Sequence, residues 1–367
     1  MLDIMVNLKS FQSEHAVEES EQPLLCLRSR CKGMMVNACA HAVFFCKLLY
    51  TLRQKESGKV SLIASKESMG EGLKVGIIGG GHIGKQLARA LLELGGISAQ
   101  NIHISTRRPE TLSEFQQLGV ECFYDNGQLV AWADIVFLCC LPSHLQLICS
   151  GIRAAVREPC IMYSLVTAVP LPRLKQLLSY SAILRPQYQC TNRNLENVWG
   201  TNGTIIAALQ DPIVIQATCP CKKIAVTGKW LEAVFYAALN SCMWRHLPHQ
   251  RALKLLNDVC FPEHCPICAE QKTSCPRFFL FSLPSTFPWF DLTTVQMKGS
   301  PFSQLLARSV LLQNHLTLLY CTSFGVLLAK SGGMASTVKE ISRPLIPPPH
   351  PSFTIIITVY QYCLFKT

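Results

Sequence analysis

Residues 73–84 read Leu-Lys-Val-Gly-Ile-Ile-Gly-Gly-Gly-His-Ile-Gly, a short apolar run that enters glycines spaced G-x-G-x-x-G. Gly79, Gly81 and Gly84 hold that spacing. The first glycine of such a pattern allows a tight turn after a strand, the second lets the backbone approach a pyrophosphate, and the third lets the next helix lie close on the strand. That helix turns its N-terminal amides and the positive end of its dipole toward phosphate. Glycine-rich turns also occur without a ligand, so context decides. Here an apolar strand precedes the glycines, and Ile83, Leu87, Ala90, Leu91 and Leu94 follow at helical spacing until Gly95-Gly96 stops them. The segment is read as the opening of a dinucleotide-binding unit, with Gly79, Gly81, His82, Ile83 and Gly84 around the phosphates.

A second strand is predicted at Asn101–Ser105. In NAD-binding units an Asp or Glu commonly ends this strand and holds the ribose hydroxyls. This chain places Ser105-Thr106-Arg107-Arg108 there. A 2′-phosphate needs hydrogen-bond donors and positive charge, which hydroxyl and guanidinium groups supply. The turn therefore favours NADP(H) over NAD. The plainer alternative makes Arg107 and Arg108 solvated residues ahead of Pro109.

Strand and helix signals then alternate through the next hundred residues. Strands are predicted at Val120–Tyr124, Asp134–Cys140, Cys160–Ser164, Ala182–Arg185 and Thr204–Ala208. Helices are predicted at Gly127–Trp132 with Asp125 or Asn126 as cap, from Pro142 to about Val156 with Ser143 as cap, and at Leu171–Leu178. The run Ile135–Cys140 is apolar at every position, as a strand covered on both faces requires. This order gives an α/β fold, a Rossmann-type doubly wound parallel sheet over residues 72–218. A smaller, mainly helical domain rich in Cys and Pro is expected over 219–330, with helices at Lys229–Trp244, Gln250–Val259 and Ser303–Leu328. Residues 1–71 read as an N-terminal extension with one helix and a polar linker, and 331–367 as a poorly ordered tail. Within that tail Phe353–Tyr360 is β-branched enough to add a strand.

Composition limits the remaining choices. Of 367 residues 49% are hydrophobic and 16% charged, enough for a sizeable core. The net charge of +11 is scattered, without a basic run interleaved with aromatics, so it suits an anionic cofactor better than nucleic acid. Met34–Tyr50 is apolar but interrupted by Asn37, His41 and Lys47, and reads as a helix packed on the main domain rather than a membrane span. Glu14, Glu18, Glu19 and Glu21 fit neither a secretory nor a transit pattern, so the 19 cysteines are expected as reduced thiols in the cytoplasm.

The order of motifs resembles the pyrroline-5-carboxylate reductase family over about residues 72–210. The resemblance rests on the three glycines, the Ser-Thr-Arg-Arg turn, the run Ala133–Pro142, the loop Ser164–Ala168, and Ile183–Arg185 with Gly203–Ile206 behind it. It implies a Rossmann domain followed by a helical domain that dimerises, and hydride transfer from NADPH to a cyclic imine. It also implies that Cys139, Cys140, Leu141 and Pro142 lie against the nicotinamide half of the cofactor, bordered by Val166-Thr167-Ala168. The family usually has Lys where Leu141 stands. Its Ser-Gly-Ser-Gly-Pro helix start and Pro-Gly-Gly-Thr-Thr segment, which contact substrate, have no counterpart here beyond a faint echo at Ser331-Gly332-Gly333. The expected function is an NADPH-dependent oxidoreductase acting on a small imine or carbonyl compound. The alternative is a catalytically inactive NADP-binding regulatory or assembly protein.

Two constellations stay open. Hydride transfer needs a proton donor near the acceptor atom. Tyr188, Thr167 and His144 lie near the predicted crevice, but none is assigned that role. Cys260, His264, Cys265, Cys268 and Cys275 cluster within sixteen residues, after Cys219 and Cys221. The two-plus-two spacing of a zinc finger is absent, and the cluster is read as reduced cysteines with no metal. Zinc on Cys260, Cys265, Cys268 and Cys275 is the lesser alternative.

Overall fold

The computed structural model describes residues 22–56, 72–187, 204–220, 228–261, 265–271, 275–279, 289–298, 301–326 and 354–356. Six short strands form its centre: β1 (Val75–Ile78), β2 (Ile102–Ser105), β3 (Glu121–Phe123), β4 (Ile135–Leu138), β5 (Ile161–Ser164) and β6 (Ile183–Leu184). They lie in the order β3-β2-β1-β4-β5-β6, every neighbouring pair parallel, with Val75 beside Ile102 on one side and Ile135 on the other. The chain reverses its direction of winding between β1 and β4. That reversal opens a crevice at the carboxyl ends of those strands, where this fold takes its ligands.

Alternation along the strands divides the core. Ile77, Phe137 and Tyr163 face one hydrophobic cluster, under α1 (Gln22–Glu56) and α2 (His82–Leu94). Ile78, Val136, Leu138 and Met162 face the other. After α3 (Ser113–Gln117), that second face is covered by α4 (Asn126–Trp132), α5 (Pro142–Ile152) and α6 (Leu171–Leu178), through Leu129, Leu145 and Leu174. Asp125 caps α4 as expected, its Oδ1 accepting from the amides of Gly127 and Gln128. Ser143 does not cap α5. Leu141 holds the cap position, and Pro142 starts the helix at a point where its missing N–H costs nothing.

The expected strand at Thr204–Ala208 is a helix, α7 (Ile205–Gln210), followed by α8 (Pro212–Thr218). Thr204 Oγ1 accepts from the Ala207 amide at 3.1 Å, and Asp211 Oδ1 accepts from Ile213 at 2.8 Å. Two caps and a first-turn proline outweigh the β preference of Ile205 and Ile206. The helical part continues with α9 (Gly228–Trp244), α10 (His249–Cys260), α11 (Pro266–Gln271), α12 (Leu292–Met297), α13 (Pro301–Arg308) and α14 (Val310–Ser323). The single helix expected over Ser303–Leu328 is divided at Ser309, whose Oγ accepts from the Leu312 amide and starts α14 afresh. Strands β7 (Arg277–Phe279) and β8 (Thr354–Ile356) pair in parallel, so part of the β-branched tail adds a strand. The rest of the tail lies outside the described residues.

Helix α1 is 35 residues long, twice the stretch read from the sequence. Cys31–Glu56 is long and apolar enough to cross a membrane, but 78% of its most apolar window is buried inside the protein. Its residues Val36 to Leu52 belong to the same cluster as the sheet, α9 and α14. Phe45 packs on Tyr163 of β5 with ring centroids 5.7 Å apart, and Arg53 pairs with Asp134 at 2.8 Å. One continuous core thus runs from α1 through the sheet into the C-terminal helices.

The edge strand β6 is covered from the helical part. Gln296 on α12 accepts from the Arg185 amide at 2.9 Å and donates to the Ile183 carbonyl at 2.7 Å, standing in for a seventh strand. Gln296→Leu keeps the volume but strips both partners. It is expected to lower unfolding free energy by about 1–3 kcal/mol, read from the urea midpoint, since buried polar groups are left unmatched. An unchanged midpoint would mean water replaces the amide.

Candidate functional site

The turn after β1 fixes the centre of the site. Gly79 has φ +112°, a conformation L side chains rarely adopt, and a Cβ there would lie 2.7 Å from the Cys139 carbonyl oxygen. Its amide donates to the Ser105 carbonyl at 2.9 Å, tying the turn to the end of β2. A Cβ on Gly84 would lie 1.9 Å from the Gly79 carbonyl oxygen, so α2 rests directly on the turn. Gly81 caps α2 with no side-chain hydrogen bond, and a Cβ on it meets nothing within 4 Å. Gly81 and His82 are exposed and Ile83 half-buried. The first-turn amides of α2 therefore open onto the crevice, a cradle that fits a pyrophosphate.

The end of β2 divides into an inner and an outer half. Ser105 is fully buried, and its hydroxyl donates to Asn126 Oδ1 at 2.6 Å. Expected at the ligand, it instead anchors α4 from within, because the strand alternation turns its side chain inward. Thr106 is half-buried, its amide donating to the Phe123 carbonyl at 2.9 Å. Arg107 and Arg108 are both exposed, and neither guanidinium has an ion-pair partner among the described residues. Two cations on the rim beyond β2 fit an anionic group on the adenosine side.

On the other side of the reversal lies Cys139-Cys140-Leu141-Pro142. Cys139 is buried and Cys140 half-buried. Burial holds the Cys139 thiol well above its ordinary value and pushes Cys140 up to about 11. Both stay protonated near neutrality and offer no nucleophile. Leu141 is 63% exposed at the mouth of the crevice, an apolar surface on which a flat ring can rest. Thr167 and Ala168 are exposed beyond β5. His144 is half-buried in the first turn of α5, and Tyr188 lies outside the described residues.

Sequence reasoning passed over Arg185 as a site residue. It follows β6, and its side chain reaches across the sheet end to donate to the Thr167 carbonyl. Its Nε is buried with no hydrogen-bond partner among the described residues, and burial pulls the guanidinium below its usual range. It brings positive charge to the same end of the sheet as Leu141 and Thr167. A cleft of about 280 Å³ lined by Arg53, Asp134, Ile161 and Trp244 opens instead at the amino ends of β4 and β5, away from where this fold binds nucleotide.

Comparison with known proteins points to nucleotide-dependent oxidoreductases. A family model described as NADP oxidoreductase, coenzyme F420-dependent, matches residues 74–162, from β1 to β5. NADP-dependent oxidoreductase domain-containing protein 1 of Mus musculus is 41% identical over 366 residues, covering 94% of this chain and 99% of its own. Pyrroline-5-carboxylate reductase 3 of Danio rerio is 26% identical over 106 residues, 29% of this chain and 37% of its own length. The structure of a pyrroline-5-carboxylate reductase from Coxiella burnetii covers 69% of this chain and 95% of its own, at 16% identity and a TM-score of 0.31.

Proposed function

The chain belongs to the family of NADP-dependent oxidoreductase domain-containing protein 1, and from that premise we propose that it uses NADPH to reduce a small imine or carbonyl compound. The coarser part, an NAD(P)-dependent oxidoreductase, follows from the family and the fold. The choice of NADPH rests on one observation: the turn after β2 carries exposed Arg107 and Arg108, with no acid at the strand's end to hold a free ribose hydroxyl. A carboxylate there would repel a 2′-phosphate, whereas guanidinium groups bind it by charge-assisted hydrogen bonds.

The bound cofactor would supply a hydride. The chain's own part is to bind and orient. Gly79 and Gly84 seat α2 on the turn so that its first-turn amides meet the pyrophosphate, and Gly81 leaves room for it. Arg107, Arg108 and Thr106 hold the adenosine end. Leu141 and Pro142 set the face on which the nicotinamide lies, and Thr167 borders it. Arg185 favours a substrate that carries a carboxylate. Leu141, in the place where the resembled family usually has Lys, favours a second reading in which nucleotide is bound without turnover.

Titration with NADPH and NADH separates these claims. Wild type is expected to bind NADPH more tightly, and Arg107→Ala to lose about 1.5–3 kcal/mol of that preference, roughly 10- to 150-fold, as one charge-assisted contact goes. Equal affinity for both cofactors in wild type would remove the phosphate assignment. Oxidation of NADPH by any member of a panel of imines and carbonyl acids supports the reductase. Tight binding with no oxidation across the panel selects the second reading.

A further inference from the structure

The C-terminal helices gather a cluster that takes no part in the nucleotide site. Cys265 stands just before α11 and Cys268 in its first turn. Cys275 stands two residues before β7, and His315 lies midway along α14. Their donor atoms all lie within 4.8 Å of one another. Cys268 Sγ is 3.1 Å from His315 Nε2 and 3.3 Å from Cys275 Sγ. A tetrahedral zinc with bonds of about 2.3 Å to sulfur and 2.0–2.1 Å to nitrogen has ligand atoms about 3.5–3.8 Å apart. The cluster brackets those separations before any ion draws it together.

The surroundings are those of a metal site. Cys265, Cys268 and His315 are buried, and Cys275 is half-buried. His315 Nδ1 donates to the Leu311 carbonyl at 2.8 Å, which fixes the ring and leaves the Nε2 lone pair aimed at Cys268. A backbone acceptor on the far ring nitrogen is the usual support of a metal-bound histidine. Three soft sulfurs and an imidazole, with no carboxylate among them, select zinc over magnesium or calcium.

We propose that Cys265, Cys268, Cys275 and His315 form a structural zinc site. Four protein ligands fill the tetrahedron and leave no open position, so the ion holds structure rather than performing chemistry. On binding, one Zn²⁺ takes three thiols and a neutral imidazole, releases three protons to solvent, and leaves a centre of net charge −1. The ion fastens α11 and the approach to β7 onto α14. Cys260, the fourth ligand suggested by spacing, is replaced by His315, some forty residues beyond Cys275. It sits at the end of α10, outside the cluster.

The test is metal analysis of the full-length protein, purified under reducing conditions and dialysed against a buffered trace of zinc. About one zinc per chain is expected in wild type and in Cys260→Ser, and less than about a tenth of that in Cys268→Ser and His315→Ala. Replacement with Co²⁺ is expected to give the intense visible bands and sulfur-to-metal charge-transfer absorption of a tetrahedral thiolate site. If the variants do not fold, wild type alone decides, since blocking its thiols must release zinc as about three of them react. Wild type without zinc, zinc retained by folded Cys268→Ser and His315→Ala, or a disulfide joining two of the three cysteines would each overturn the site.

Discussion

Gly84→Ala is expected to raise the dissociation constant for NADPH at least about tenfold and to lower unfolding free energy by about 1–3 kcal/mol, because the added methyl has nowhere to go. Its Cβ would sit 1.9 Å from the Gly79 carbonyl oxygen, and that carbonyl cannot retreat. Gly79 is already held at φ +112°, with its amide bonded to Ser105. Helix α2 must therefore lift from β1 and carry its first-turn amides away from the phosphates. Gly81→Ala is the control. Its methyl meets no protein atom within 4 Å, so the fold should keep its wild-type urea midpoint while the methyl intrudes where nucleotide approaches. Calorimetric titration and urea melts of the two variants separate packing from binding. A Gly84→Ala protein that binds NADPH like wild type would show that α2 does not deliver the phosphate contacts.

The second large effect is acid sensitivity set by His41 in the middle of α1. The ring is fully buried, 5.0 Å from Trp230 of α9 and 6.1 Å from Tyr320 of α14. Its Nε2 donates to the Thr218 carbonyl at 2.7 Å, and Thr218 Oγ1 meets the Tyr320 hydroxyl at 2.9 Å. Burial brings the imidazole from 6.5 down to about 4, outweighing the backbone bond to Thr218, which acts the other way. Between those values the unfolded chain binds the proton and the folded chain does not, so stability falls as pH falls. The contribution is complete above about pH 7, and about 2 kcal/mol of it should be gone by pH 5. Urea melts from pH 7.5 to 4.5 measure this. His41→Gln, which can still donate to Thr218, should flatten the profile while costing stability at pH 7.5. If wild type and His41→Gln lose stability in parallel, other groups carry the acid response.

Much of the Rossmann half was legible because its signals are local. The glycine spacing, the strand runs apolar on both faces, the Asp125 cap and the stop at Gly95 each depend on neighbours within a turn or two. Thr204–Ala208 misled for the same reason. Its β-branched pair is visible along the chain, whereas the gain from burying Ile205 and Ile206 beneath α1 and α2 is not. The hydroxyl of Ser105 suits a phosphate by residue type, and only the pairing of β2 with β1 and β3 shows it turned toward Asn126. His315 could not have been found by spacing at all, since some forty residues separate it from the nearest cysteine of the cluster. Helix α1 is apolar round most of its circumference, and that pattern says it is buried without saying by what.

The placement of α1 has a consequence for the order in which the protein can be made. The helix emerges from the ribosome well before its partners: His41 bonds a residue 177 positions later, and Lys47 reaches the Ser323 carbonyl 276 positions later. At about 5–20 residues per second, the apolar faces of α1 wait tens of seconds for α8 and α14. Contacts this distant also slow folding, because loop closure precedes any return from packing. Until those later segments arrive, the apolar helix has to be kept from other chains. A chain that ends before α14 would leave the part of α1 around Phe44 and Lys47 without its cover.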